Sequence, residues 1–273
     1  MSERQIILCA DDYGISPAVS AAIRDLVAHR RISATSVMVA APSFNRAEAA
    51  KLRDVAGKHS AVGLHVTLTA PFAPLSQNFE PLHHGAFLSL ASTLRRAHLR
   101  ALRPKLLTVE ISHQFEAFAA AFDRPPAFVD GHHHVHLFPQ IRDAVLRVTK
   151  DSAPDAWVRQ CGQLSARRRL TDHKALLLDG LSRRFRRLAA DHGLRTNPAF
   201  AGTYTFRSDA AYARLFASFL DGMPDGGVIM CHPGQVDAEL KRLDHVTESR
   251  EHEYAFFGGD AFARLLVEQG IKL

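Results

Sequence analysis

Ala127-Phe128-Val129-Asp130-Gly131-His132-His133-His134-Val135-His136-Leu137-Phe138-Pro139 is the stretch on which the reading of this chain turns. The apolar Ala127-Phe128-Val129 predicts a buried strand, and the histidines would form its C-terminal end. Side chains alternate faces along a strand, so His132, His134 and His136 are expected on one face and His133 on the other. Three imidazoles on one face of a buried strand are costly unless something binds them. A metal or a catalytic pocket is the simplest account. Periodicity alone does not choose among the three.

A second polar cluster occupies the same local context. Asp11-Asp12-Tyr13-Gly14 ends the apolar run Ile6-Ile7-Leu8-Cys9-Ala10. Adjacent aspartates cannot share a face on a regular strand, so an irregular turn is expected there, which Gly14 permits. His65, Arg159 and His232 also lie in or just after apolar, strand-like runs.

Between these strands lie segments of helical character. Ser16-Pro17 offers an N-cap followed by a proline at the first helical position. Val19, Ile23, Leu26 and Val27 then repeat at helical spacing. Helices are expected over 47–59, 109–122, 139–149, 171–192, 209–220 and 260–269. Strands are expected over 5–10, 35–41, 61–68, 126–136, 156–161, 200–206 and 227–231, with a short one at 270–273. Alternation of this kind predicts parallel βαβ units with right-handed crossovers. About seven units in 273 residues fit a single-domain (β/α) barrel, TIM-like but distorted, for which about 250 residues is typical. Residues 70–107 break the alternation and read as an insertion over one face.

Composition is that of a globular protein, with 47% hydrophobic and 23% charged residues. The formal net charge is +6. Much of the excess lies in two stretches, 92–105 and 165–187, which read as solvated helix faces or as contacts for anionic lipid headgroups. No nucleic-acid-binding signature accompanies them. Cys9, Cys161 and Cys231 form no CxxC pair and fit reduced core thiols. With no signal peptide and no apolar run of transmembrane length, a cytoplasmic protein is expected, with peripheral membrane contact and homo-oligomerisation both open.

The polar groups gather at strand ends, where α/β barrels place their functional groups. Asp12 with two histidines makes a three-ligand set with open positions, as a catalytic metal requires. Asp11 beside it is a candidate general base, and His232 a candidate acid for a leaving amine. Each has a plainer reading when taken alone. An Asp-Asp pair fits a turn, His65 fits a satisfied core histidine, and His232 before Pro233 fits a turn residue. The internal histidine run has the weakest plain reading.

Four segments, ADDYGIS at 10–16, GLHVTLT at 63–69, DGHHHVHLFPQ at 130–140 and CHPG at 231–234, resemble the YdjC-like (ChbG/HpnK type) carbohydrate deacetylases. The resemblance implies a (β/α) barrel, one divalent metal ion and removal of N-acetyl groups from amino sugars. It implies Asp12, His65 and His132 as metal ligands, Asp11 as base and His232 as acid. It puts His134 and His136 in or near the substrate pocket and has Arg159 orient Asp11. Segments 70–107 and 165–187 depart from the chitooligosaccharide members. Some relatives are associated with hopanoid lipid synthesis, so an amino-sugar glycolipid joins the small carbohydrates as a candidate substrate. An Asp and two His suit Zn, Mn, Co or Fe, and Mg where waters complete the coordination. The rivals are another metal-dependent hydrolase, acting on a phosphoester or a non-sugar amide, and a non-catalytic metal- or sugar-binding protein.

Overall fold

The computed structural model describes residues 3–162, 173–206 and 212–273. Its strands are β1 (Arg4–Tyr13), β2 (Ala34–Val37), β3 (Ala61–Val66), β4 (Phe128–Gly131), β5 (Trp157–Val158), β6 (Phe200–Ala201), β7 (Gly227–Cys231) and β8 (Ile271–Lys272). Its helices are α1 (Pro17–Ala28), α2 (Arg46–Ala56), α3 (Leu90–His98), α4 (Pro104–Phe122), α5 (Ile141–Ser152), α6 (His173–Asp191), α7 (Tyr212–Leu220), α8 (Ala238–Leu243), α9 (Glu248–Gly258) and α10 (Asp260–Gln269).

The parallel strands run in the order β5-β4-β3-β2-β1-β7-β6, and β8 pairs with the start of β1. This curled sheet, flanked by helices, is a distorted (β/α) barrel. The distortion lies between β5 and β6, at the two ends of the order. There the Val158 N–H donates to the Arg195 carbonyl at 2.9 Å. The Asn197 side chain spans the gap, accepting the Gln160 N–H at 2.8 Å and donating to the carbonyls of Gln160 at 3.1 Å and Ala199 at 2.8 Å. One amide thereby does what a strand pair does elsewhere in the sheet.

Local chemistry sets the element ends. Ser16 Oγ accepts the Val19 N–H to cap α1, and Asn45 Oδ1 accepts the Glu48 N–H to cap α2, each worth about 1 kcal/mol. Gly202 has φ 106°, and a Cβ there would lie 2.0 Å from the Met230 carbonyl oxygen. Only glycine lets the chain leave β6 so close to β7. The core is apolar and continuous around the sheet. Phe128, stacked on Trp157 with centroids 4.6 Å apart, closes the β4–β5 side, and burying such a ring contributes about 1.5–3 kcal/mol.

The 70–107 stretch is ordered. Glu110 on α4 accepts the N–H groups of Leu75 and Ser76, and the Gln140 amide bonds both backbone groups of Leu102. The stretch holds α3, which overlaps the 92–105 run read as a solvated helix face, whereas α8 and α9 were not expected. Several expected strands are shorter than anticipated, β6 ending at Ala201 rather than at 206. Of the basic stretch 165–187, residues 165–172 lie outside the described ones, while Arg183, Arg184, Arg186 and Arg187 are exposed on α6. No helix among the described residues is long and apolar enough to cross a membrane.

Candidate metal centre and active site

The first departure from strand periodicity lies at the histidines. β4 ends at Gly131, and His132–Leu137 forms a tight 3-10 turn in which His133 (φ 55°) and His134 (φ 58°) take left-handed backbone. The alternation expected over 132–136 therefore does not hold. His132, His133 and His134 line one cleft, whereas His136 folds behind it. His136 is fully buried, donates from Nε2 to the Arg159 carbonyl at 2.8 Å and stands edge-on to Phe185. Burial pushes its pKa down to about 4, so it is a neutral core histidine that fixes the backbone of Arg159. The expectation that it shares a face with His132 is corrected by the turn.

The second departure lies at the aspartates. β1 carries a register irregularity between Ala10 and Tyr13, Asp12 has φ 68° and Gly14 φ 96°. A non-glycine residue in this region costs about 1–3 kcal/mol and persists where its surroundings hold it. The bulge lets both carboxylates line the cleft, which regular pleating forbids.

Asp12, His65 and His132 converge, with one ligand atom from each lying within 4.8 Å of the others. Asp12 Oδ1 is 2.9 Å from His132 Nδ1 and 3.3 Å from His65 Nε2. His65 Nδ1 faces Asp130 Oδ1 at 2.6 Å and Ser36 Oγ at 3.0 Å. A proton on Nδ1 shared with Asp130 would leave the Nε2 lone pair for an ion seated between it and Asp12, the usual support for a metal-ligating histidine. Burial would lower the His65 pKa, but the carboxylates of Asp130, Asp12 and Asp11 together outweigh it and push it up to about 10 while no ion is bound. Burial would likewise raise Asp12, but His132 and Arg250 hold it well below the usual carboxylate range. One ionised carboxylate and two imidazoles, all buried, suit a divalent ion of the Zn, Mn, Co or Mg kind.

Cys9, Asp11 and Asp130 also cluster, but a cation already stands among them. Arg159 is fully buried and grips Asp11 through Nη1 to Oδ2 at 2.6 Å and Nη2 to Oδ1 at 2.7 Å. Its Nη2 is also 2.6 Å from Asp130 Oδ2 and donates to Cys9 Sγ at 2.9 Å. Burial would raise Asp11, but Arg159 outweighs it and holds the carboxyl far below its ordinary range.

His232, just after β7, lines the cleft with Nε2 4.0 Å from Asp12 Oδ2. Burial pushes its pKa down to about 4 despite the pull of Asp12. Its backbone N–H donates to Glu253 Oε2 at 2.5 Å, and Tyr204 donates to Glu253 Oε1 at 2.5 Å. The cleft encloses about 190 Å³ and has a partly apolar rim that includes Leu90, Phe206 and Val246. Phe206 stands edge-on to His232, and Phe72 from the 70–107 stretch stands edge-on to His132.

Sequence reasoning missed Asp130, Glu253 and Arg250, and it put His133 on the wrong side. Asp130 opens the histidine motif and was legible as a strand-end acid. Glu253 and Arg250 lie in Glu248–Gly258, a segment with no strong apolar stripe and no capping side chain.

The sequence profile of the YdjC-like protein family matches residues 5–268. The chain belongs to the YdjC-like family. Among curated YdjC-type relatives, a chitooligosaccharide deacetylase of Citrobacter koseri is 30% identical over 88% of this chain and 85% of its own. One of Serratia marcescens is 29% identical over 87% and 85%. Two solved structures share the fold. An Enterococcus faecalis protein named for cellobiose-phosphate cleavage aligns with TM-score 0.76 at 22% identity, over all of this chain and 97% of its own. A lactam utilization protein of Thermus thermophilus aligns with TM-score 0.53 at 14% identity, over 100% and 99%.

Proposed function

We propose that this YdjC-like protein is a metal-dependent carbohydrate deacetylase, hydrolysing the N-acetyl amide of an amino sugar to acetate and a free amine. The observation that carries the reading is the meeting of Asp12, His65 and His132 on the wall of a cleft that also holds a spare carboxylate, Asp11, and a spare imidazole, His232. Simple binding of a metal or a sugar needs neither of the last two. The names of the curated relatives support the bond class, and a chitooligosaccharide or an amino-sugar glycolipid fits the mixed polar and apolar cleft.

Asp12, His65 and His132 would hold a divalent ion, whose chemistry is to acidify a water and polarise an acyl oxygen. Asp130 keeps His65 in the tautomer that presents Nε2. Asp11 takes the proton of the attacking water, its carboxylate held toward the cleft by Arg159. His232, once it has taken up a proton from solvent, gives it to the departing amine nitrogen, so that the amide C–N bond breaks with a neutral amine leaving. His133 and His134 line the cleft and meet the sugar hydroxyls. Arg159 makes Asp11 a weak base, and His232 is neutral at rest. These two facts favour a second assignment, in which His232 takes the water proton and hands it on itself. Asp11→Asn separates the two. It lowers the rate on the order of 100-fold or more if Asp11 is the base, and leaves the rate near wild type if His232 does both.

The reading is tested by acetate release from a panel of N-acetylated sugars and glycolipids, using protein stripped of metal and re-supplied with Zn, Mg, Mn or Co. Acetate that disappears on chelation supports it. Bound metal with no acetate from any member, but turnover of a phosphoester or a non-sugar amide, moves the protein to the other metallohydrolases. Binding with no turnover at all makes it a binding protein.

A further inference from the structure

Helix α9 reaches the candidate metal ligand Asp12 from behind the cleft. Arg250 is fully buried and does not line the cavity. Its Nη2 donates to Asp12 Oδ2 at 2.6 Å and to Asp244 Oδ2 at 2.7 Å, and its Nε donates to the Val246 carbonyl at 2.9 Å. Asp244 is itself anchored, its Oδ1 accepting the Val246 N–H at 3.0 Å. The guanidinium therefore has little freedom, and neither has Asp12 Oδ2. What remains open on Asp12 is Oδ1, the oxygen that faces His132 and His65.

We propose that Arg250, held by Asp244, is a positioning residue that makes Asp12 a one-oxygen metal ligand by occupying its other oxygen. The inference rests on the metal reading above. Two effects compete. A cation 2.6 Å from a ligand carboxylate weakens its pull on a divalent ion, so on charge alone removing Arg250 would tighten metal binding. Against this, Asp12 Oδ2 would be left buried without its donor. It would then turn to find another, and His232 Nε2 stands 4.0 Å away. Loss of a group that orients a ligand lowers metal affinity about 10- to 100-fold. Orientation wins here because Asp12 is buried on left-handed backbone, and its Oδ2 takes its hydrogen bond from Arg250.

The test is titration of Co(II) into stripped full-length protein, followed by heat and by the visible spectrum of the bound ion. Arg250→Met should bind Co(II) about 10- to 100-fold more weakly, with an altered spectrum. Asp244→Asn should give a smaller loss in the same direction, and Arg250→Lys should restore part of the affinity. Unchanged or tighter binding by Arg250→Met with a wild-type spectrum overturns the proposal in favour of a charge or a purely structural role. If Arg250→Met does not fold, Arg250→Lys and Asp244→Asn decide, and wild-type affinity and spectrum in both overturn it. A wild-type protein that binds no Co(II), Zn, Mn or Mg sinks the metal reading itself.

Discussion

The two halves of the barrel contribute different chemistry to one site. From β1 to the turn after β4 come the candidate metal ligands Asp12, His65 and His132, with Asp11 and Asp130. From β5 onward come the groups that hold them, Arg159 on Asp11 and Asp130 and Arg250 on Asp12, together with His232 and the Glu253 that accepts its backbone N–H. In the first half β1, β3 and β4 have ten, six and four residues and deliver these side chains at or just past their ends. In the second half β5 and β6 have two residues each, and the gap between them is closed by Asn197. Buried carboxylates are unstable without cations, so the first half alone is an unbalanced cluster. The site exists only once the chain has closed.

That division can be broken from either side. The largest effect is expected from the first half: His132→Ala should abolish stoichiometric metal binding, measured by elemental analysis, and bring acetate release down to the no-enzyme background. Retained metal at full stoichiometry would remove His132 from the ligand set. Arg159→Met strikes the second half and strands Asp11 and Asp130. It should destabilise the fold by about 3–5 kcal/mol, read as a lower urea midpoint, and a loss below about 1 kcal/mol would mean that water reaches the pair.

Glu253 sharpens the comparison through pH. Burial raises its pKa from the ordinary 4.5 to about 7, against the hydrogen bonds from Tyr204 and His232. The folded state thus holds this proton more tightly than the unfolded chain. Its contribution is full below about pH 4.5, declines as the unfolded chain ionises first, and about 3 kcal/mol has gone once pH passes about 7. Glu253→Gln cannot ionise, so its stability relative to wild type should rise by about that amount across this window. A difference that stays flat with pH would show Glu253 to be ionised throughout. The smallest effect is expected at the seam. Asn197→Ala leaves the Gln160 N–H without its partner and should cost about 2 kcal/mol, read as a lower melting temperature with unchanged metal affinity.

Much of this arrangement was legible before the fold. The alternation of apolar runs and helical segments predicted a distorted parallel barrel. Asp12, His65 and His132 stood out because each sits beside a short apolar run. Periodicity failed where the backbone stopped being periodic. His133 and His134 in left-handed conformation turn their imidazoles to the same cleft as His132, and the same turn sends His136 into the core. The bulge at Asp12 could be anticipated from the Asp-Asp pair, but not the direction in which each carboxylate would point.

By itself, then, the sequence determined what is local: strand and helix periods, capping residues, and a concentration of acids and histidines at strand ends. Those properties depend on neighbours within a few residues and survive in any window of the chain. Only the tertiary structure decided which groups meet. Arg250 and Asp12 are 238 positions apart, and Arg159 and Asp11 148. No spacing rule joins such pairs. A buried charge takes whichever partner the closing barrel brings within about 3 Å, and that choice is made by packing.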